Sequence, residues 1–517
     1  MTARRRITLT VLALLLVFWM FVAWSVPYSS VDDFQWGLEE GLRWWLGGLL
    51  NGRYVGNFFT VVMCRFPPVK TLMMGGGMFL IPVLTAVLAA RGDETRFLST
   101  LLLSNLCILL MPPIVWQEIY GWVSGFSIYG VSTLLFLTWL LVLRYRAEPG
   151  PDPAPRRRVW ICALFLLTLA LGMFVENLTL LLLGACLSLT IRTLRLRPSL
   201  SLFAACLLGA ALAAAPMFCN GVVQELSGSG SAVNGLRTLI FSPGDSPAAV
   251  AAAVAGRYVK WVLPYGFLRG IHLALPLSLL TASALWNGPL RPLAPLGLLP
   301  LAFHRFLKAL PFYWDAEPGP GWILVSALCW LLPVLALLVQ REEWPLRRNL
   351  LMVYLAAPLS LLPLAPLNTI GHRLCFFPMV MLILAAAATA APLLRPLPVI
   401  CGTAAVLAAL MVLWGGRNAA SLACTQLREQ LIREAARTGQ KVLVLPTERS
   451  ETAPGNVRDP ENLEYASYFR RFYHISEDVT LVFPGEGSFE YWPDIPQELW
   501  DNRLVLPPSD DFTPSLP

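Results

Sequence analysis

Two adjacent aspartates, Asp32 and Asp33, follow the first long apolar run of the chain. A carboxylate that takes a proton from a hydroxyl has to lie close to it and partly out of water. A second carboxylate beside it raises the pKa of one of the two. Such a pair is costly to hold near lipid, and acids at the mouth of a membrane helix are candidate functional groups. A plainer reading stands beside this one: Asp is a good helix cap, and the stretch Phe34–Trp45 has helical character.

Four further groups carry chemistry. In Asn51-Gly-Arg-Tyr-Val-Gly-Asn57 a turn presents Arg53 ahead of an amphipathic stretch. Its guanidinium either forks onto a phosphate or snorkels to lipid headgroups, and Tyr54 and Asn57 stand next to it as candidate ligand contacts. The segment Gln117–Tyr129 is dense in aromatics and small residues and holds Glu118, Trp122 and Tyr129. Flat rings, hydroxyls and an acid suit a sugar, while Trp and Tyr also suit the interfacial belt of a membrane protein. Glu176 and Asn177 sit in a short break between two apolar runs, where a polar hairpin turn is the alternative. His372 and Arg373 open a late apolar run, and an arginine there runs against the charge bias of the other loops. His272, His304 and His474 are isolated, and the sequence has no HExxH, P-loop or GxSxG pattern. Zinc proteolysis and nucleotide hydrolysis lose support accordingly.

The elements that must position these groups are membrane helices. Of 517 residues, 56% are hydrophobic and only 14% charged, which is too little charge for a soluble domain of this size. The net charge of +7 comes mostly from Arg in short loops, the pattern of cytoplasmic loops rather than of nucleic-acid binding. Arg4, Arg5 and Arg6 place the amino terminus inside. Ile7–Val26 is long for a signal h-region, and its end is a poor cleavage site, so it reads as a retained helix. Counting onward, apolar runs and Arg-bearing loops predict about thirteen crossings up to residue 414. This places Asp32, Asp33, Arg53, Glu118, Glu176, His372 and Arg373 on the outer side, and the loop 91–96, Arg144, Arg156–Arg158 and Arg395 on the inner side. The stretch Gly37–Cys64 reads as one or two short interfacial helices. The expected fold is an all-α polytopic membrane domain over 1–417 and a small α/β extracytoplasmic domain over 418–517, with strand-like runs at Lys441–Pro446 and Val479–Phe483. The ten cysteines fall mostly within apolar runs, with no CxxC and no Cys/His metal spacing, and read as small buried residues.

The order of these elements resembles a family of membrane glycosyltransferases. A first helix, a Ser-x-Asp-Asp-Phe element, Asn-Gly-Arg-Tyr, an outer Glu-x-Tyr-Gly-Trp-x-Ser-Gly-x-x-x-Tyr loop and a Glu-Asn helix start occur in sequence. This is similar to uncharacterised bacterial members of the GT-C superfamily and to its O-antigen glucosyltransferases. Motifs carry the resemblance over residues 1–190; beyond that it rests on helix number and Arg373. The resemblance implies transfer of a sugar from a polyprenyl-phosphate donor to a cell-envelope glycan or lipid acceptor, at the outer face of the bacterial cytoplasmic membrane. It implies that Asp32 or Asp33 serves as acceptor-binding or catalytic acid, and that Arg53 and Arg373 hold the donor phosphate. Tyr54, Asn57, Glu118, Trp122, Tyr129, Glu176, Asn177 and His372 are assigned to substrate contacts, roles the family does not fix. No cofactor is required; a divalent cation beside the paired acids is compatible. Acids and guanidinium groups are expected to converge in one lipid-accessible hollow. A flippase or transporter of lipid-linked glycan would need a polar path through the whole membrane, and a surface-glycan polymerase or ligase would share the donor type.

Overall fold

The computed structural model describes residues 3–29, 32–47, 51–146, 154–194, 197–229, 231–232, 237–242, 244–268, 270–309, 320–340, 344–367, 371–446, 463–483 and 504–506. The chain is mostly helical. Its first helix, Ala3–Ser25, has no internal Gly or Pro and stops ahead of Pro27, which cannot continue the ladder. Pro67–Ala90 opens on two prolines, tolerated where the N–H has no helical partner anyway. Glu94–Leu109 is capped by Asp93, whose side chain accepts from the Thr95 N–H. It bends by 99° into Pro113–Ile119 at the Pro112-Pro113 pair.

Among the described residues seven helices are long and apolar enough to cross a membrane, or eight if the bent pair is one span. The expectation of about thirteen is therefore not reached by length and composition. Short lengths and breaks account for part of the difference, and charged ends on the 18-residue helices Ala154–Leu171 and Glu176–Thr193 for the rest. Ile271–Trp286 and Trp344–Leu359 have 16 residues each, below the ~20 that span a bilayer without help. The run from residue 291 to 309 is split into a 3-10 stretch, Arg291–Leu298, and a helix, Leu299–Ala309. Large apolar side chains such as Leu14, Val17, Leu331 and Val412 are exposed on the long helices, an arrangement that calls for apolar surroundings.

Two ends of the bundle differ in chemistry. At one, the amino-terminal arginines meet the loop after the second long helix: Arg5 pairs with Glu94 at 2.8 Å and Arg4 donates to the Thr95 carbonyl. Arg395 and Arg96 both reach Asp93, at 3.3 and 2.9 Å. Segments read independently as inner loops thus come together. The opposite end holds Asp33, Arg53, Glu118, Glu176 and Arg373.

The helix Leu397–Thr438 has 42 residues and rises about 63 Å, twice what a bilayer core needs. Asn418 accepts a hydrogen bond from Ser25 Oγ at 2.9 Å, so this helix passes the end of the first one and continues. The boundary read at 417/418 falls inside it, without a break. The helix ends at Gly439, whose φ of 69° lies in the left-handed region. Beyond it, Val442–Val444 pairs parallel with Thr480–Phe483, which pairs antiparallel with Leu504–Leu506. The first two of these strands, the helix Leu463–Phe472 and Ile432 and Ala435 of the long helix share a second, smaller core.

Candidate functional site

Asp32 and Asp33 sit at the start of a five-residue helix, Asp33–Gly37. Their environments differ. Asp32 is half-buried and occupies the cap position, but its side chain makes no cap hydrogen bond. Asp33 is 0% exposed. Its Oδ1 accepts from the Ser124 N–H at 2.9 Å and from Ser124 Oγ, and its Oδ2 accepts from the Ser29 N–H at 2.9 Å. The Cys64 thiol points at Oδ1 from 3.9 Å. Burial pushes the Asp33 carboxyl up to about 6, against the three donors, which favour its charged form. Lys70 lies in the same region; its ammonium lies over the Tyr28 ring at 4.9 Å and donates to the Val26 carbonyl. Asp33 therefore ties the first loop to the aromatic loop around Ser124, and Asp32 is the acid with access to solvent.

A polar face on the helix Tyr54–Arg65 connects this point to the next group. Arg53 caps the helix, and Asn57, Thr60 and Cys64 follow on one side at helical spacing. Opposite them runs the segment from Ser124 to a π-helical turn, Phe126–Gly130. Thr60 Oγ1 meets Ser127 Oγ, and Tyr129 reaches Arg53. Gly125 makes this fold-back feasible, since a Cβ there would lie 2.2 Å from the Glu118 carbonyl oxygen. From Arg53 to Cys64 the helix rises about 16 Å, so Arg53 and Asp33 stand at opposite ends of it. The expected single hollow containing both is not formed.

Arg53 is held by Glu176 in a two-pronged pair, Nε to Oε1 at 3.1 Å and Nη2 to Oε2 at 2.8 Å. Burial works against its charge, yet Glu176 and the Tyr129 hydroxyl more than offset this and raise its pKa above the usual arginine value. A phosphate at Arg53 would have to compete with a bidentate carboxylate. Asn57 donates to Asn51 Oδ1 at 3.1 Å, and Asn177 donates to the Ser360 carbonyl at 3.0 Å. The Oδ1 atoms of both are buried with no hydrogen-bond partner among the described residues, a standing invitation to a ligand hydroxyl. Beside the Arg53 turn, Trp45, Leu46, Tyr54, Val55 and Phe58 line an open apolar depression of about 310 Å³. Tyr54 thus belongs to an apolar wall; its carbonyl accepts from Trp45 Nε1 at 2.9 Å.

Arg373 differs from Arg53. Glu118 Oε2 accepts from the Arg373 backbone N–H at 2.9 Å and so anchors the turn His372–Cys375. The guanidinium lies over the Trp122 ring at 5.3 Å, a cation–π contact that orients it without using its donors. Among the described residues no carboxylate pairs with it. Trp122 Nε1 is buried with no hydrogen-bond partner among the described residues. The His372 side chain and residues 368–370 lie outside the described residues. Among the described residues no group of three or more His, Cys, Asp or Glu side chains is placed to hold a metal ion.

The residues from separate loops thus form two clusters: Arg53, Tyr129 and Glu176 with Asn57, and Glu118, Trp122 and Arg373. Asp33 stands apart. The sequence pointed to neither Ser124 nor Cys64, the partners of Asp33; the sole local signal was the Ser-Gly pair in the aromatic loop, which reads equally as loop filler. No family model, curated protein or solved structure matches the chain.

Proposed function

We propose that this chain is a multi-pass membrane glycosyltransferase that moves a sugar from a polyprenyl-phosphate donor to a cell-envelope glycan or lipid acceptor. The observation that carries this reading is a guanidinium that lies over Trp122 and pairs with no carboxylate among the described residues (Arg373), together with an open apolar depression beside the Arg53 turn at the same end of the bundle. An anionic headgroup on an apolar tail needs both. In this reading Arg373 takes the donor phosphate and offsets the charge that builds on it as the C1–O bond breaks. Asp32, the accessible acid, takes the acceptor proton. Asp33 holds Asp32 in place through its bonds to Ser29 and Ser124. Arg53 locks Glu176 and Tyr129, whose cluster, with Asn57 and Asn177, faces the sugar or acceptor. The active end faces away from the cytoplasm, the C-terminal unit lies on that same face as a small α/β extracytoplasmic domain, and the shorter apolar helices complete about thirteen crossings by packing against the long ones. The membrane is then the bacterial cytoplasmic membrane, with no cofactor required.

The test is transfer of isotope-labelled sugar from a polyprenyl-phosphate-linked donor by purified protein in lipid. Asp32→Asn is expected to lower transfer about a hundredfold or more with membrane insertion unchanged. Full activity in the Asp32→Asn/Asp33→Asn double variant removes the assignment.

A further inference from the structure

The C-terminal unit does not hang free of the acid-bearing segment. Phe34, the residue after Asp33, is 2% exposed and belongs to the C-terminal core rather than to the main one. Its ring sits between Phe469 at 5.5 Å, Phe472 at 4.7 Å and Tyr473 at 5.6 Å. Gln35 Nε2 donates to the Tyr468 hydroxyl at 2.9 Å, and Arg471 pairs with Glu40 at 2.5 Å. Gly37 lies so close to Phe472 that a Cβ there would come within 2.8 Å of its ring. All of these partners come from one ten-residue helix, Leu463–Phe472, and the turn after it. All of them grip residues 34–40, immediately beyond Asp32 and Asp33.

Two anchors therefore bracket the acids. On one side Asp33 is bonded to Ser29 and Ser124. On the other, Phe34 is inserted in the C-terminal core. A five-residue helix cannot hold a conformation on its own, so Asp32 points where it does only while both anchors hold. We infer that the C-terminal unit is a clamp that positions the Asp32–Asp33 segment, with Phe34 as the inserted key and the Glu40–Arg471 pair as the latch, and that releasing it switches off the acid pair without touching the membrane helices. The positioning half of this inference rests on the proposed role of Asp32; the clamp itself does not.

Cys64 provides a readout independent of activity. It is 1% exposed, contacts Asp33, and its carbonyl lies 3.2 Å from where a Cβ on Gly37 would stand. N-ethylmaleimide modification of Cys64, followed by peptide mass spectrometry on the full chain in nanodiscs, reports opening of the clamp. Glu40→Arg and Arg471→Glu are each expected to speed that labelling about tenfold. The double charge swap is expected to return it to the wild-type rate, and Phe34→Leu to give a smaller rise than Phe34→Ala. Unchanged labelling in both single variants overturns the clamp. If labelling rises and recovers as stated, sugar transfer should fall in the singles and recover in the swap. Transfer that stays constant through the series overturns the positioning role. A wild-type protein that transfers no sugar from any polyprenyl donor overturns the proposed function, while the labelling series still decides the clamp.

Discussion

At the scale of single residues, the two adjacent aspartates divide into a buried acid and an accessible one. Asp33 gains three donors and loses all its water, and burial wins: its carboxyl rises to about 6. In an unfolded chain it titrates near 3.8. A group that binds its proton more readily in the folded state contributes stability that is fully present below about pH 4 and lost as pH rises through about 6. Asp33→Asn is therefore expected to melt increasingly above wild type from pH 4 to 7, by on the order of 2–3 kcal/mol at the upper end, as read by thermal unfolding in lipid. A difference that stays flat across this range counts against the burial. The two arginines divide in the same way. Arg373→Ala should raise the apparent KM for the lipid donor roughly 10- to 100-fold, the worth of a charge-assisted hydrogen bond. Arg373→Lys should recover little of it, because a lysine lacks the planar fork that stacks on Trp122 while bonding a phosphate. Equal donor KM in wild type and Arg373→Ala removes this residue from the donor site.

At the scale of elements, the helix Tyr54–Arg65 and the segment 124–130 form one seam. Arg53 and Glu176 fasten its upper end, with side chains 11% and 25% exposed. Removing one partner leaves a largely buried charge uncompensated. Arg53→Ala is expected to destabilise by on the order of 2 kcal/mol, less than a fully buried pair would cost, and to change the donor KM less than Arg373→Ala does. Exchanging the two residues should restore part of the stability, since the pair needs opposite charges more than a given order. The seam also explains why the aromatic loop was hard to read. Its Trp and Tyr looked like an interfacial belt, yet Trp116 and Tyr120 are fully buried and pack against Trp19 and Trp414 of the first and last long helices. A belt residue faces headgroups; these hold helices together.

At the scale of the whole molecule, charge sorts the two ends. The amino-terminal arginines, the 91–96 loop and Arg395 meet at one end, while Arg373, Glu176 and the C-terminal unit belong to the other. Single cysteines introduced at the exposed positions Glu39 and Arg433 are expected to react with an impermeant maleimide from the same side of the membrane, and one at Glu94 from the opposite side. Labelling of Glu39 and Arg433 positions from different sides would break this topology. Beside the seven or eight long apolar helices found among the described residues, Ile271–Trp286 falls short of the length that crosses a bilayer alone.

Much of this was legible without coordinates. Apolar run length, arginine in short loops and the punctuation by proline determine a multi-pass helical chain, its sided charge, and the position of most helices to within a few residues, because these depend on local composition and on the solvent around each segment. The same is true of the strands at Val442–Val444 and Thr480–Phe483, which lie within the two runs read as strands. Tertiary structure alone decided which aspartate is buried, that Glu176 claims Arg53 while no carboxylate among the described residues claims Arg373, that Arg53 and Asp33 lie at opposite ends of one helix, and that Phe34 belongs to the C-terminal core. Those are contacts between residues up to several hundred positions apart. No window along the chain encodes whether a charged group will meet a partner, since desolvation and pairing are set by what packs against it in space.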